Sequence, residues 1–550
     1  MAPQFNFKVI GIAFLFQLFF AAFHAQAETV TNQDQTVQMT KNPSVGEKIN
    51  LWFSPIVDDI SNVLFFDPFA ALGIYDPIIY QNGEPVKDKN GMVLKRRIPF
   101  VVIWLVLGAI FFTLFFRFIN FRGFKLAIAL IRGKYDNPDH AGQVSHFQAL
   151  STALSATVGL GNIAGVAIAI SIGGPGATFW MVLAGFLGMS TKFVECTLAV
   201  KYREIDAQGR VSGGPMYYLS KGFAKRNMKI LGQVVAVVFA LLVVFGSLGI
   251  GNMFQANQAF SQITYNFPAL NGMGFWFGLF MAFLTGIVII GGIKSIANVT
   301  SKIVPFMAIF YISVALFIII INIDRTGEAF KLIFGGAFSP EALKGGVIGV
   351  LIVGFQRAAF SNEAGIGSAP IAHSVARTNE PVSEGLVSLL EPFIDTVVIC
   401  TMTALVLVYT GFYANPEGLQ GSQLTSAAFE SVVSWFPYLL IIAVFLFAYS
   451  TMISWSFYGL KGFDFLVGRY SEKWFGNRKI SNGIYQVLFL VFIVIGASSN
   501  LGSVMDFSDM LILTMAFPNI LGLIIMAPEV KRDLKSYLKR IQSGEIKRFR

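Results

Sequence analysis

Two stretches of apolar sequence hold residues that an ordinary membrane helix has no use for. Between Ser145 and Val166 lie Thr157, Gly159, Gly161 and Asn162, and between Gly349 and Ser368 lie Arg357, Ser361, Asn362, Glu363, Gly365 and Gly367. Glycine costs a helix interior about 1 kcal/mol relative to alanine. A helix broken at mid-membrane depth frees backbone groups that are tolerated only where they are buried in protein or line a cavity. Such breaks bind ligands without making bonds, with freed N–H groups suiting anions and freed carbonyls and hydroxyls suiting cations. The two stretches also echo each other, as Asn162-Ile-Ala-Gly-Val166 and Asn362-Glu-Ala-Gly-Ile366. Paired glycine-interrupted helices at corresponding positions point to a midplane transport site. Close helix packing accounts better for Gly173, Gly174, Gly185 and Gly188.

Charge inside a span is expensive and defaults to function or pairing. Arg357 and Glu363 are close enough in sequence to neutralise each other across the second break, and either fits a gating or coupling role. Glu363 also fits a protonatable site, which keeps proton coupling open. Lys192 and Glu195, three residues apart, read as a structural pair. Glu391 and Asp395 lie one turn apart beside Pro392. The sequence has no phosphate-binding P-loop, no G-x-S-x-G elbow and no H-E-x-x-H helix, so ATP-driven transport by this chain and the common hydrolase chemistries are disfavoured. Two cysteines some 200 residues apart, Cys196 and Cys400, with only four histidines, make a disulfide or a structural metal centre a poor expectation. No cofactor is expected.

The elements that must position these residues follow from composition. Of 550 residues, 55% are hydrophobic and only 13% charged, against roughly 25% charged in a soluble domain. The chain therefore reads as an all-α polytopic membrane protein. A leading stretch, residues 1–27, has the charge, apolar core and Ala25-Gln26-Ala27 site of a cleaved signal peptide. Residues 28–97 form a polar extracytoplasmic region, 98–530 the transmembrane domain, and 531–550 a basic cytoplasmic tail. Spans, each about 20 residues, are predicted at 98–118, 145–170, 177–200, 230–251, 273–292, 301–322, 346–372, 384–410, 436–460, 484–499 and 506–527. That makes eleven.

Lysine and arginine placement sets the orientation. The loops 121–144, 201–229, 291–303, 373–383 and 461–480 and the tail all carry Lys or Arg, whereas 252–272, 411–435 and 500–505 carry none and 323–345 carries Arg325, Lys331 and Lys344. The mature N-terminus is thus expected outside and the C-terminus in the cytoplasm. The net charge of +10 is a topology signal, and nucleic acid is not an expected partner. Spans 2–6 and 7–11 form two sets of five, and an odd number per set inverts the second relative to the first.

The run from Ala156 to Asn162 resembles the broken first helix of LeuT-type sodium symporters. More specifically, Ser145-His-Phe-Gln-Ala-Leu150, Gly161-Asn-Ile-Ala-Gly-Val166, Gly173-Gly-Pro-Gly176, Gly214-Pro-Met-Tyr-Tyr218, Gly251-Asn-Met-Phe-Gln-Ala-Asn257, Phe360-Ser-Asn-Glu-Ala-Gly-Ile-Gly-Ser-Ala-Pro370 and Glu391-Pro-Phe-Ile-Asp-Thr396 resemble the alanine/glycine:cation symporter family. The resemblance implies a LeuT-like 5+5 inverted-repeat core with one extra N-terminal transmembrane helix. It also implies sodium-driven uptake of alanine, glycine or a similar small neutral amino acid, in the plasma (inner) membrane of a bacterial cell and in contact with its lipids.

For such a zwitterion, the backbone around Gly159, Leu160, Gly161 and Asn162 suits the carboxylate. Carbonyls near Thr157 and Phe360, with the Asn362 side chain, suit the ammonium, and the bulk of Phe360 would enforce a small substrate. Asn252 and Gln255 fit either further polar lining or hydrogen bonds between helices. Carried over from LeuT-type proteins, one sodium site falls on the Ser155, Val158 and Phe447 carbonyls and the Ser450 and Thr451 hydroxyls. Proton coupling on the same fold is the rival expectation. A passive channel is less favoured, since no ring of carbonyls or like charges recurs.

Overall fold

The structure, a computed structural model, describes residues 67–73, 77–78, 80–81, 84–85, 98–339, 346–414 and 418–549. The signal-like segment and nearly all of residues 28–97 lie outside them. The described chain is mostly helical. Two short strand pairs, Tyr80–Gln81 with Glu84–Pro85 and Glu204–Ile205 with Val211–Ser212, are the exceptions among the described residues.

The helices that matter to the site are, in chain order, α1 (Phe100–Phe115), α2 (His146–Thr157), α3 (Val166–Gly173), α4 (Ala177–Lys201), α5 (Lys229–Leu248) and α6 (Phe254–Asn266). They continue as α7 (Gly274–Ile289), α8 (Gly292–Ile321), α9 (Gly346–Asn362), α10 (Ala369–His373), α11 (Pro381–Val387) and α12 (Thr401–Tyr409), and end with α13 (Phe436–Phe475), α14 (Lys479–Ser498) and α15 (Leu501–Gln542). Among the described residues, seven elements are long and apolar enough to cross a membrane, or eight counting the bent pair at 146–173, and α1, α7 and Val347–Asn362 of α9 are shorter apolar helices.

Several boundaries differ from those the sequence suggests. The expected loop 291–303 is helical from Gly292, with Pro305 inside the helix. The expected span 230–251 runs on through a π segment to Asn266, and α13 continues to Phe475 and α15 to Gln542. The physical reason is common to all. Hydropathy marks where a helix leaves the apolar slab, whereas its hydrogen bonds continue into polar surroundings.

The two broken spans take the shape their residues dictate. Ser145 starts α2 with a capping box: its Oγ accepts from the Gln148 N–H at 3.2 Å and the Gln148 side chain accepts from the Ser145 N–H at 3.1 Å. After Thr157 the helix opens at Val158–Leu160, resumes as a π turn over Gly161–Gly165, and continues as α3 at 51° to α2. The second break follows α9, where Glu363, Gly365 and Gly367 all adopt positive φ (56°, 89° and 90°) before α10. Glycine takes that conformation without steric cost. Glu363 does not, and a non-glycine residue held there marks a site worth scrutiny.

Candidate functional site

The breaks meet at a third irregular element. Pro392, which has no N–H to give, is followed by a π stretch over Phe393–Cys400 that carries Asp395 inward. The Asn162 amide donates to Asp395 Oδ1 at 2.6 Å, to the Asp395 carbonyl at 3.0 Å and to Ser361 Oγ at 3.1 Å. Ser361 in turn donates to Asp395 Oδ2 at 2.7 Å, as Thr396 does at 2.8 Å. One fully buried carboxylate thus joins the first break to the second. Spacing alone marks Asp395 only as a charge near Glu391. The signal present in the sequence is a carboxylate set in an apolar run three residues after a proline.

The N–H groups of the first break are also capped. The Gly159 N–H donates to the Thr157 carbonyl at 2.8 Å and to Asn162 Oδ1 at 2.9 Å, and the Leu160 N–H to Gln255 Oε1 at 3.0 Å. Two side-chain amide oxygens, from α6 and from the π turn itself, therefore cap the break. Gly161 lies against Phe360, since a Cβ added to it would sit 3.4 Å from the Phe360 ring. That ring is buried edge-on against Phe254 at 4.9 Å, with the Arg357 guanidinium 5.1 Å from its centroid. Asn362 is fixed by donating to Thr396 Oγ1 at 2.9 Å and accepting from the Ala364 N–H at 3.0 Å. Thr157 bonds back onto α2. Asn252 donates to the Phe489 carbonyl at 2.6 Å, so its amide serves contact with α14, and no hydrogen bond joins it to either break.

Beside the first break, α2 and α13 exchange hydrogen bonds. Ser155 Oγ donates to the Ser450 carbonyl at 2.7 Å, Thr451 Oγ1 donates to the Ser155 carbonyl at 2.9 Å, and Ser450 Oγ donates to the Phe447 carbonyl at 3.1 Å. Ser155, Phe447, Ser450 and Thr451 thus form one cluster of oxygens, next to the point where Val158 ends α2. A hard cation takes this kind of donor set.

The buried charges pair differently from the expectation. Arg357 does not neutralise Glu363. It pairs with Asp509 on α15, which also accepts from Gln356 at 3.0 Å. Glu363 instead accepts from Ser368 and, at 3.0 Å, from the Trp455 indole. The reason is geometric: Arg357 lies on α9 and Glu363 just past its end, where the chain turns left-handed. Lys192 likewise pairs with Glu391 at 2.9 Å rather than with Glu195, whose Oε1 accepts from Asn519 at 2.6 Å.

Removing one partner of a buried pair leaves an uncompensated charge worth about 3–5 kcal/mol, whereas replacing both with apolar residues is often neutral. Asp509→Leu is therefore expected to destabilise the protein by about that amount, and Arg357→Met/Asp509→Leu to recover most of it. Thermal unfolding of the purified protein checks both, and equal loss in the single and double variants would contradict the pairing.

The sequence model of the sodium:alanine symporter family matches residues 84–550. The sodium/alanine symporter AgcS of Methanococcus maripaludis is 40% identical over 455 residues, covering 82% of this chain and 96% of that protein. The amino-acid carrier protein AlsT of Bacillus subtilis is 34% identical over 455 residues (81% and 92% of the two chains), and the probable sodium/glutamine symporter GlnT of the same organism is 34% identical over 449 residues (81% and 89%).

Proposed function

The chain belongs to the sodium:alanine symporter family, whose members are transporters and not enzymes, and from that premise we propose that it imports alanine, glycine or a similarly small neutral amino acid together with sodium. That it is a multi-pass membrane transporter of amino acids follows from the family; the substrate, the ion and the working residues are our reading. The observation that carries it is the pair of amide oxygens, from Asn162 and Gln255, seated on the Gly159 and Leu160 N–H groups.

A substrate carboxylate takes the place of those oxygens, on a helix end whose dipole favours negative charge. Its ammonium is received by the Thr157 and Phe360 carbonyls and the Asn362 side chain. Phe360 and Phe254 limit the side chain to a methyl group or less. Sodium is held by the Ser155, Val158 and Phe447 carbonyls and the Ser450 and Thr451 hydroxyls, so that its charge ties α2 to α13 next to the seated substrate. That placement couples the two: each ligand orders backbone that the other needs. Arg357 with Asp509 closes one side over Phe360, and Glu363 with Ser368 and Trp455 holds the opposite turn. No resident cofactor takes part.

Counting the three shorter apolar helices as spans beside the eight longer elements, we read the chain as having eleven. On this reading the first break opens one set of five and the second opens an inverted set behind one extra leading helix. The Lys and Arg bias puts the N-terminus outside and the C-terminus in the cytoplasm of a bacterial plasma membrane.

The test is uptake of a labelled amino-acid panel by proteoliposomes. Alanine or glycine uptake should collapse when sodium is replaced by choline, and uptake that persists in choline while following pH would identify the proton-coupled alternative. Thr451→Ala removes one hydroxyl from the cation cluster and is expected to raise the half-saturating sodium concentration about tenfold, the equivalent of roughly 1.4 kcal/mol, with Ser450→Ala in the same direction. An unchanged sodium curve in both variants removes the cation from this cluster.

A further inference from the structure

Neither the substrate nor the cation employs the largest group of buried ionisable side chains in the described structure. They form a chain leading inward from the end of the bundle that carries the basic loops. Asp136, with its side chain 38% exposed, lies 3.5 Å from His146 Nε2. His146 Nδ1 hydrogen-bonds Glu384 Oε2, and the other Glu384 oxygen is 2.6 Å from His373 Nδ1. His373 Nε2 then faces Glu391 Oε2 at 3.5 Å, and Glu391 Oε1 is paired with Lys192 at 2.9 Å. Except for Asp136 and a trace of His146, these side chains are completely buried.

All four ring nitrogens of the two histidines face carboxylate oxygens. An ionised carboxylate only accepts, so every one of those nitrogens is best served by carrying a hydrogen, which makes both rings imidazolium. Charge balance agrees. Lys192 already belongs to Glu391, and the Arg203 guanidinium, although close to Glu384, donates to the Ser374, Ala376, Ala141 and Thr378 carbonyls. Positive charge in contact with Glu384 must therefore come from the imidazoles, because a buried carboxylate without a partner is costly. The remaining ionisable neighbours are Glu195, Glu363 and Cys196 around Lys192, and Tyr458 of α13 near Glu391. None of them brings a further cation. Two links are weak: His373 Nε2 and Glu391 Oε2 make no hydrogen bond, and Asp136 Oδ1 faces His146 Nε2 at 3.5 Å without one.

The bridge also has a mechanical position. His146 lies at the start of α2 and His373 at the end of α10, which are the halves of the two broken spans on the basic-loop side. Glu384 of α11 grips both. A substrate seated between the breaks can leave on that side only if α2 and α10 part, and parting them breaks the bridge and lets in water. A hydrated imidazole has a pKa near 6.5 and gives up its proton at neutral pH.

We propose that His146, Glu384 and His373 form a proton-binding latch on the cytoplasmic side, which binds protons as it closes and releases them toward Asp136 as it opens. The inference rests on the transport function proposed above, taken to work by alternating access, and adds a ligand, the proton, that acts from one side only. Cytoplasmic acidity holds the latch shut and slows release, and alkalinity speeds it, by at most about tenfold per pH unit for each proton.

Right-side-out membrane vesicles from cells producing the full chain place the cytoplasmic face in the lumen. Efflux of preloaded labelled alanine, with external pH and sodium fixed, should rise severalfold as lumenal pH goes from about 6 to about 8.5, a range centred on histidine titration. Varying external pH at fixed lumenal pH should leave it unchanged. Glu384→Gln keeps the shape of the bridge without its charge and should flatten the lumenal profile, and His373→Gln provides a second variant should the first not fold. A flat wild-type profile, a response equal from both sides, or a wild-type slope in a folded variant overturns the latch.

A readout free of substrate separates this from the transport reading. Spin labels on Phe147→Cys of α2 and Arg377→Cys after α10, both exposed, report the separation of the two halves, with the native thiols buried. The longer-distance population should grow with pH in the wild type and not in Glu384→Gln. If no alanine flux occurs at any pH, the substrate assignment fails and these distances alone decide the latch.

Discussion

Asp395→Ala is expected to lower amino-acid uptake by at least about 100-fold. The carboxylate is the acceptor for Asn162, Ser361 and Thr396, at 2.6, 2.7 and 2.8 Å. Asn162 keeps the Asp395 main-chain carbonyl as a second acceptor, so the loss falls on the two hydroxyls. A buried donor left without a partner costs about 1–3 kcal/mol, and two such losses reach 100-fold at about 1.4 kcal/mol per tenfold. The damage is to function more than to the helices, because the donors lie at the breaks, where backbone is already free of helical hydrogen bonds. Asp395→Asn preserves the volume and one acceptor oxygen and should fall between, near tenfold. The measurement is the initial rate of labelled alanine uptake, normalised to protein that elutes as wild type in size-exclusion chromatography. Uptake within about threefold of wild type for Asp395→Ala would show that the two breaks keep their register without it.

The second large effect is expected from a single methyl group. A Cβ on Gly159 would lie 2.5 Å from Thr451 Oγ1 and 3.1 Å from Gln255 Oε1. Gly159→Ala therefore pushes against both the hydroxyl assigned to sodium and the amide that caps the break. Overpacking of this kind costs about 1–3 kcal/mol, and it falls on the contact between the first break and α13, giving about 10- to 100-fold lower uptake and a higher sodium requirement. Two neighbouring glycines provide the internal scale. At Gly161 the nearest atom to an added Cβ is at an ordinary 3.4 Å, and at Gly165 nothing lies within 4 Å. Gly161→Ala should be mild and Gly165→Ala close to wild type. A series in which all three lose uptake equally would attribute the need for glycine to backbone freedom and not to this contact.

What the sequence makes legible depends on whether a residue's partners are near it in the chain. The first break is readable from Gly159, Gly161 and Asn162 because two glycines and an amide at apolar depth do not suit an unbroken helix. The second is readable from Gly365 and Gly367, which take positive φ without steric cost. The polar pairings are not readable in this way. Asp509 lies 152 residues from Arg357 and Glu391 lies 199 from Lys192, so the nearest opposite charge in the sequence is the wrong partner both times. The turn at Glu363 carries that residue away from Arg357, and no spacing rule for a continuous helix anticipates it. Asn252 and Gln255 show the same limit in miniature. Spacing places them together, yet one reaches the break and the other reaches α14, because the π turn at Gly249–Met253 alters the rotation between them.

The unbroken course of α13 sets it apart from the interrupted elements around it. Forty residues at 1.5 Å each make a rod of about 60 Å, roughly twice the hydrocarbon thickness of a bilayer. Ser450 and Thr451 stand fifteen residues from its start, about 20 Å along. A tilt of about 10° pivoting there moves the near end by about 4 Å and the far end by about 7 Å, in opposite directions. The rod is then a seesaw whose fulcrum is the rung that faces Ser155. Its short arm runs back to Phe436 and its long arm runs on past Asp464, which pairs with Arg478, to Phe475. In such a tilt the two ends would move with opposite sign, and the displacement would be greater on the side of the long arm.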